Sequence, residues 1–323
     1  MRQRNDRDRK RKRRHRIEWP TVAVAVLIYA GFLAVTWFHD SLTAWLTIPL
    51  GAWLGAWHAS LQHEIVHGHP TPWRRINRAL ARPCLVLWLP FGMYRTSHLA
   101  HHVDRRLTDP LEDPESYYVT ADAWARMGRS RRALLWIHNT LLGRFIFGPP
   151  RMIWQALRSD FPRLCRGERS RWRDWTAHTA GVLLVAGWAF GMAGMPLWEY
   201  ALGFVYGGTA LMLLRSFLEH QAAETIPERT VVVEAELPFR LLFLNNNLHA
   251  VHHDRPAVPW YRLPQLFKAS RGDYLDANGC YRYDGYLTIL KCYLLRAKEP
   301  PVHPLYPMDK HQQHTPFRTQ NAL

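Results

Sequence analysis

Between Thr21 and Phe38 the chain runs for eighteen residues without a charge and is almost wholly apolar. That length reaches the lower limit for a helix crossing the hydrocarbon core, and a core helix of a water-soluble protein this long would show a polar face. A cleaved leader would have a shorter apolar stretch and a small-residue cleavage site. The stretch therefore reads as a retained spanning helix. A second apolar stretch, Leu42 to about Leu61, follows the tiny loop His39-Asp40-Ser41. Two more, Thr176–Met195 and Leu197–Leu214, meet at Met195-Pro196. Both tight connections lack Lys and Arg, whereas the long segments between the pairs are rich in them. Basic loops stay on the cytoplasmic side, so both termini and residues 62–175 are expected there. The expected fold is an all-α integral membrane protein, with four transmembrane helices in two hairpins under a cytosolic helical cap.

Two regions fit that scheme less simply. Leu80–Tyr94 is apolar but too short to cross, and with Pro83 and Pro90 it reads as re-entrant or interfacial. Residues 129–175 mix Arg with Trp, Phe and Leu, which suits helices lying in the interface or amphipathic helices packed on a cytosolic domain.

The charge explains itself once the spans are placed. Forty-two Lys and Arg against 26 Asp and Glu give a net +16, and ten of the basic residues lie in residues 2–16. So dense a run suits a nucleic-acid arm, a targeting segment or a juxtamembrane anchor. It lacks interleaved aromatics and precedes a span, so it reads as an anchor on the anionic membrane surface, with no nucleic-acid partner. The chain divides into a basic cytosolic tail (1–19), one membrane domain (20–290) and a C-terminal cytosolic tail (291–323). Its four cysteines are far apart, which excludes a small disulfide scaffold and a zinc ribbon.

Eighteen histidines remain to be explained. Three clusters stand out: His63-Glu64-Ile65-Val66-His67, His98-Leu99-Ala100-His101-His102 and His249-Ala250-Val251-His252-His253, with His220 ending the run Arg215–His220. At this composition a triplet spaced three and four apart arises by chance about 0.055 times per chain, and here it occurs twice. On a helix, residues at i, i+3 and i+4 share a face, so each triplet points its imidazoles into one volume. Neutral imidazole is the commonest protein metal ligand. Burying so many polar rings without partners would be costly, which makes an ordinary core role untenable for the clusters. That role suits His39, His138 and His178, while His58 and His69 read as polar interface residues. A helix from Leu42 to His67 would be about 39 Å long against a core of about 30 Å, so His63 and His67 emerge on the cytosolic side. His220 lies just past the last span, on the same side.

The run from His63 to His67 also matches the zinc-protease pattern, with Glu64 activating water, so an intramembrane zinc metalloprotease competes. Yet catalytic zinc needs only three protein ligands, and this chain offers eight or nine histidines, enough for two metals. Imidazole suits iron, zinc and copper alike, and the ligand count with the membrane position favours a two-iron centre that activates O2. A non-enzymatic metal carrier would need ligands lining a pore.

The three clusters, in this order at the ends of two hairpins, resemble the membrane fatty acid desaturase and hydroxylase superfamily. The resemblance covers roughly residues 20–290. It includes Leu107-Thr108-Asp109-Pro110 after the second cluster, and His252-His253-Asp254-Arg255-Pro256 with Pro259-Trp260-Tyr261 after the third. It implies two iron ions held by His63, His67, His98, His101, His102, His249, His252 and His253, with His220 as an extra ligand. One of Asn245, Asn246 and Asn247 would hold a metal-bound water, Asn245 being favoured as one turn before His249. Glu64 and Glu219 would orient imidazoles, or else be helix-end carboxylates near basic residues. O2 is the implied co-substrate. Electrons would come from a separate ferredoxin, cytochrome or flavoprotein docking on the basic cytosolic face, because the chain has no dinucleotide fingerprint and no cysteine cluster. The substrate would be a lipid in the bilayer, the reaction desaturation or hydroxylation of its acyl chain, and the location a bacterial inner membrane. The acidic loop Asp109–Glu115 resembles acyl-lipid members. A polar-lipid hydroxylase of the ornithine-lipid type or a carotenoid ketolase, suggested by the run from Pro259 to Pro264, are alternatives within the superfamily.

Overall fold

A computed structural model describes residues 17–306. The expected basic anchor at residues 2–16 therefore lies outside the described residues, as does the end of the C-terminal tail. The fold is mostly helical. Helices α1 (Trp19–Trp37) and α2 (Ala44–Val66) form a hairpin. Then come α3 (Arg74–Ala81), α4 (Phe91–His101), α5 (Ala121–Ala125), α6 (Arg129–His138) and α7 (Leu141–Cys165). A second hairpin pairs α8 (Arg169–Ala186, prolonged by wider π turns over Gly187–Met192) with α9 (Leu197–Ser216). The C-terminal part holds short helices, including α10 (Leu237–Leu242) and α11 (His249–Asp254), and one parallel pair of strands, Val232–Val233 beside Arg282–Tyr283.

Among the described residues two helices, α1 and α9, are long and apolar enough to cross a membrane. The sequence reading expected four. Helix α2 falls short because His58, Gln62, His63 and Glu64 occupy its second half, and α8 because Arg169, Arg171, Arg173 and Asp174 open it. Those polar residues of α2 are buried, so that end of the helix is enclosed by protein. Helix α2 is the axle of the fold, packed against α1 on one side and α9 on the other. Its contact with α9 is made by small residues. A Cβ on Gly55 would lie 2.7 Å from the Phe204 carbonyl oxygen and 3.3 Å from Gly208 Cα, and one on Gly207 would lie 2.7 Å from Ala52 Cβ. Such backbone-to-backbone approach is how helices pack where the solvent is itself apolar.

Within Leu80–Tyr94 the backbone between α3 and α4 is neither helix nor strand, yet Cys84, Leu85, Val86 and Leu89 are buried. Irregular backbone at such depth survives only if its polar groups are satisfied. Side chains from four helices do this. Tyr29 donates to the Leu80 carbonyl, Gln62 to Ala81, Tyr200 to Leu85, and the His178 ring bonds the Leu87 carbonyl. The segment is thus a plug held inside the bundle, which explains both its apolar composition and its prolines.

Helix α7 exposes Leu142, Ile146, Trp154, Leu157 and Phe161, spaced three, four or eight residues apart along one face. An apolar stripe left uncovered beside exposed Arg158 and Arg166 suits a helix lying in a membrane interface better than one packed on a cytosolic domain. The first part of the expected C-terminal tail is tied down by backbone hydrogen bonds. The Leu142 amide bonds Leu294, the Lys298 amide bonds Asn139, and the Val119 amide bonds Pro301, strapping residues 294–303 back across α7 and the loop before α5.

Candidate metal centre

Each histidine cluster is delivered by a helix end. The last turn of α2 supplies His63, and His67 caps it; α4 supplies His98 and His101 and is capped by His102; α11 supplies His249, His252 and His253. His220 comes from the turn beyond α9. These nine side chains gather into two groups. His63, His67, His98, His102 and His252 form one, and His101, His220, His249 and His253 the other; within each, ligand nitrogens all lie within 4.8 Å of one another. In the first, His98 Nε2 is 3.2 Å from His67 Nε2 and 3.0 Å from His102 Nε2, which is 3.2 Å from His252 Nε2. In the second, His220 Nε2 is 2.9 Å from His101 Nε2 and 3.0 Å from His249 Nε2.

Helix geometry explains the partition. Residues four apart on a helix differ by about 40° around its axis, whereas adjacent residues differ by about 100°. His98 and His102 therefore share one group while His101 turns to the other. Two clusters straddle the groups in this way, so the two sites are built as a pair.

The donor set fits two transition-metal ions. His253 has no hydrogen-bond partner at either ring nitrogen, and His98 has none at Nδ1. Burial, reinforced by neighbouring His98 and His101, holds His102 down to about 3, and burial likewise keeps His220, His249, His252 and His253 well below the ordinary imidazole value. Neutral imidazoles with opposed nitrogens are ligands in the form a metal requires.

The other ring nitrogen is in several cases pinned. His220 Nδ1 meets the Arg229 carbonyl at 3.1 Å, which can only accept, so Nδ1 carries the proton and Nε2 presents its lone pair. His249 Nδ1 donates to Asn246 Oδ1 at 3.2 Å, and Asn246 Nδ2 donates to Glu219 at 3.3 Å. Glu219 itself pairs with Arg215 at 2.7 Å. His101 Nδ1 lies 2.9 Å from Asp113, whose carboxylate also accepts the amides of Thr108 and Glu115, both at 2.9 Å. Burial alone would push His101 down, but the Glu115 and Asp113 carboxylates outweigh it and lift it to about 9. Glu115 also lies 3.4 Å from His98 Nδ1.

Asp113, Glu115 and Arg215 were given no role from the sequence, and Asn246 was one of three asparagine candidates but not the favoured one. The signal for the first two was the acidic loop Asp109–Glu115, noted only as a likeness. Asp113→Ala is expected to free His101 and to weaken metal retention about 10- to 100-fold, with purified protein falling toward one metal per chain. Elemental analysis checks this, and unchanged loading would refute the orienting role.

The favoured Asn245 is held through its amide nitrogen, while its Oδ1 is buried without a hydrogen-bond partner. Its Nδ2 donates to the Trp260 carbonyl at 3.1 Å, and the neighbouring Asn246 faces His63 and His249. Leu244 and Asn245 adopt left-handed backbone (φ 47° and 54°), so the helical spacing of α11 does not extend back to them. Glu64 accepts the Trp260 amide at 3.1 Å and stands 3.8 Å from His63 Nδ1. That carboxylate is committed to the backbone, and His63 and His67 share their group with three further histidines, so nothing in the arrangement supports the zinc-protease reading. Outside both groups, His39 bonds the Ala193 carbonyl, His58 meets Tyr29 at 3.1 Å, and His69 pairs with Glu18 at 2.7 Å.

The family model for fatty acid desaturase matches residues 39–285. No curated protein matches the chain. A family match that spans most of the sequence, and includes every one of the nine gathered histidines, shows that the chain belongs to the fatty acid desaturase family.

Proposed function

We propose that the chain is a membrane-bound, O2-dependent oxidoreductase that desaturates or hydroxylates the acyl chain of a lipid, with two iron ions held by the nine histidines. The partition of those histidines into groups of five and four carries this reading, because it supplies two adjacent nitrogen-rich sites where a hydrolytic zinc would need one. When bound, such an iron pair supplies the oxidising power to take hydrogen from an unactivated C–H bond. The protein's own contribution is to fix the imidazoles through Asp113, Asn246 and the Arg229 carbonyl, and to keep the site dry by burial.

In this reading α1, α2, α8 and α9 all span, as two hairpins. The deficit of apolarity in α2 reflects its buried ligands, and that in α8 reflects an end at the headgroups. The site and both termini then face the cytoplasm. Desaturation draws two electrons and two protons from the acyl chain, with two electrons from a donor and two protons from solvent, while O2 becomes two waters. In hydroxylation one oxygen atom enters the product instead. A ferredoxin, cytochrome or flavoprotein is the donor class, and exposed Arg74, Arg75 and Arg78 on α3 offer an acidic partner a docking face.

Lipid mass spectrometry of cells with and without expression tests the function. Loss of two hydrogens from an acyl species means desaturation, and gain of one oxygen hydroxylation; a change confined to carotenoids points to ketolation. No change in any lipid would refute the proposal. Purified protein should carry about two irons per chain and little zinc.

A further inference from the structure

Arg144 is a buried guanidinium that pairs directly with no described carboxylate. It is 2 % exposed. Its Nε donates to the His138 carbonyl at 3.0 Å, and its guanidinium carbon lies 3.9 Å from the centroid of the Tyr117 ring and 5.2 Å from that of Phe217. Nη1 is buried with no hydrogen-bond partner. A carbonyl and two π faces offset only part of the cost of removing a cation from water. The acid whose charge reaches it, Glu299, is already engaged by the Tyr118 hydroxyl and by Lys298 at 2.9 Å.

Two further cations lie nearby. Arg151 is seven residues on and therefore on the same face of α7, close enough for its charge to disfavour that of Arg144, and Arg131 of α6 acts on Arg151 in the same way. None of the three pairs with a described carboxylate within 4.0 Å. Exposure rises from enclosed Arg144 through half-buried Arg151 to exposed Arg131, as along an entry path. Like charges gathered without an acid are completed by an anion, and the planar guanidinium fork matches an oxyanion best.

The arginines adjoin the metal centre. Tyr117 follows by two residues Glu115, which lies 3.4 Å from His98, and its hydroxyl donates to Ser216 at 2.6 Å, at the end of α9. Phe217, the second ring on Arg144, is three residues before His220. The same helix, α7, carries the uncovered apolar stripe from Leu142 to Phe161.

We propose that Arg144, Arg151 and Arg131, with Tyr117, bind the oxyanion headgroup of the substrate, a phosphate or carboxylate borne by an acyl lipid whose chain runs from the arginines toward the histidines. This rests on the acyl-lipid reading above and narrows it. Neutral lipids and carotenoids lack the group the arginines take.

Binding to the metal-loaded, full-length protein in detergent tests the site without requiring turnover, so failure here and failure of the oxidase reading are distinguishable. The probes are a twelve-carbon lysophosphatidic acid, laurate, the matching neutral monoacylglycerol, and inorganic phosphate. Wild type is expected to bind the better of the two anionic lipids at least about tenfold more tightly than the monoacylglycerol. Arg151→Gln should weaken that anionic lipid about tenfold and leave the monoacylglycerol unchanged. Arg144→Lys, which keeps the charge and loses the fork, should weaken it as well, and the thermal midpoint of each variant without ligand reports whether it folds. Equal binding of charged and neutral lipid, or no effect of Arg151→Gln in folded protein, would overturn the proposal. Inorganic phosphate binding as tightly as either anionic lipid would overturn it too, because the site would then belong to a free anion.

Discussion

His252→Ala is expected to abolish lipid oxidation, with a loss of more than about 100-fold, and to bring the metal content down toward one per chain. His252 Nε2 lies 3.2 Å from His102 Nε2, and its ring centroid is 4.6 and 4.8 Å from those of His63 and His67, so it joins the ligands of α2 to those of α4. Alanine there removes one of five nitrogens and opens the enclosed centre of the group. The four-histidine group keeps its members, which is why partial rather than total metal loss is expected. His39→Gln is the control. Its ring bonds the Ala193 carbonyl beyond the far end of α2, so it should retain both metals. Elemental analysis and the lipid assay read the two variants together. Full activity in folded His252→Ala protein would remove the basis for treating the five histidines as one site.

How much of this is legible in the sequence depends on the range of the interaction. The triplets at His98–His102 and His249–His253 announce themselves because ligands three and four apart share a helix face, which is local geometry. Their division between two groups was not legible, because it depends on how α2, α4 and α11 converge. Asp113 orients His101 from twelve residues away through a loop with a left-handed residue, Thr108, and no periodicity connects the two. The spacing argument for Asn245 does not hold for a related reason: counting back one turn assumes a helix, and the backbone at Leu244 and Asn245 breaks it. Helices α1 and α9 pass as spans because they are predominantly apolar, α9 carrying only Glu199 and Arg215 near its ends. Helix α2, read from its apolar first part as a span, falls short as a whole because the buried His58, Gln62, His63 and Glu64 lower its apolarity, and sequence cannot tell buried His63 from an exposed one. The inward plug at Leu80–Tyr94 was visible as too short to cross, but the side chains that satisfy it lie on α1, α2, α8 and α9.

The helix crossing beneath the metal centre gives the second large effect. Gly55→Leu is expected to destabilise the protein by about 3 kcal/mol or more, since overpacking costs that much where the neighbours cannot yield. Here they cannot, because the first atoms a Cβ would meet are backbone: the Phe204 carbonyl oxygen at 2.7 Å and Gly208 Cα at 3.3 Å. Between apolar helices in lipid, close packing rather than water exclusion supplies most of the attraction, so forcing α2 from α9 removes what joins the hairpins. The damage should also travel. His63 and His67 lie eight and twelve residues along the same helix, and a rigid helix displaced at Gly55 carries both ligands away from His98 and His252. Metal retention should therefore fall along with the thermal midpoint. Gly55→Ala, which adds only the clashing Cβ, should show a smaller loss of both. Gly191→Leu is the comparison, because a Cβ there meets nothing within 4 Å and the substitution should be nearly neutral. If Gly55→Leu protein unfolds no sooner than Gly191→Leu protein and holds its metal as well, then α2 and α9 do not cross at these glycines, and the placement of His63 and His67 fails with the crossing.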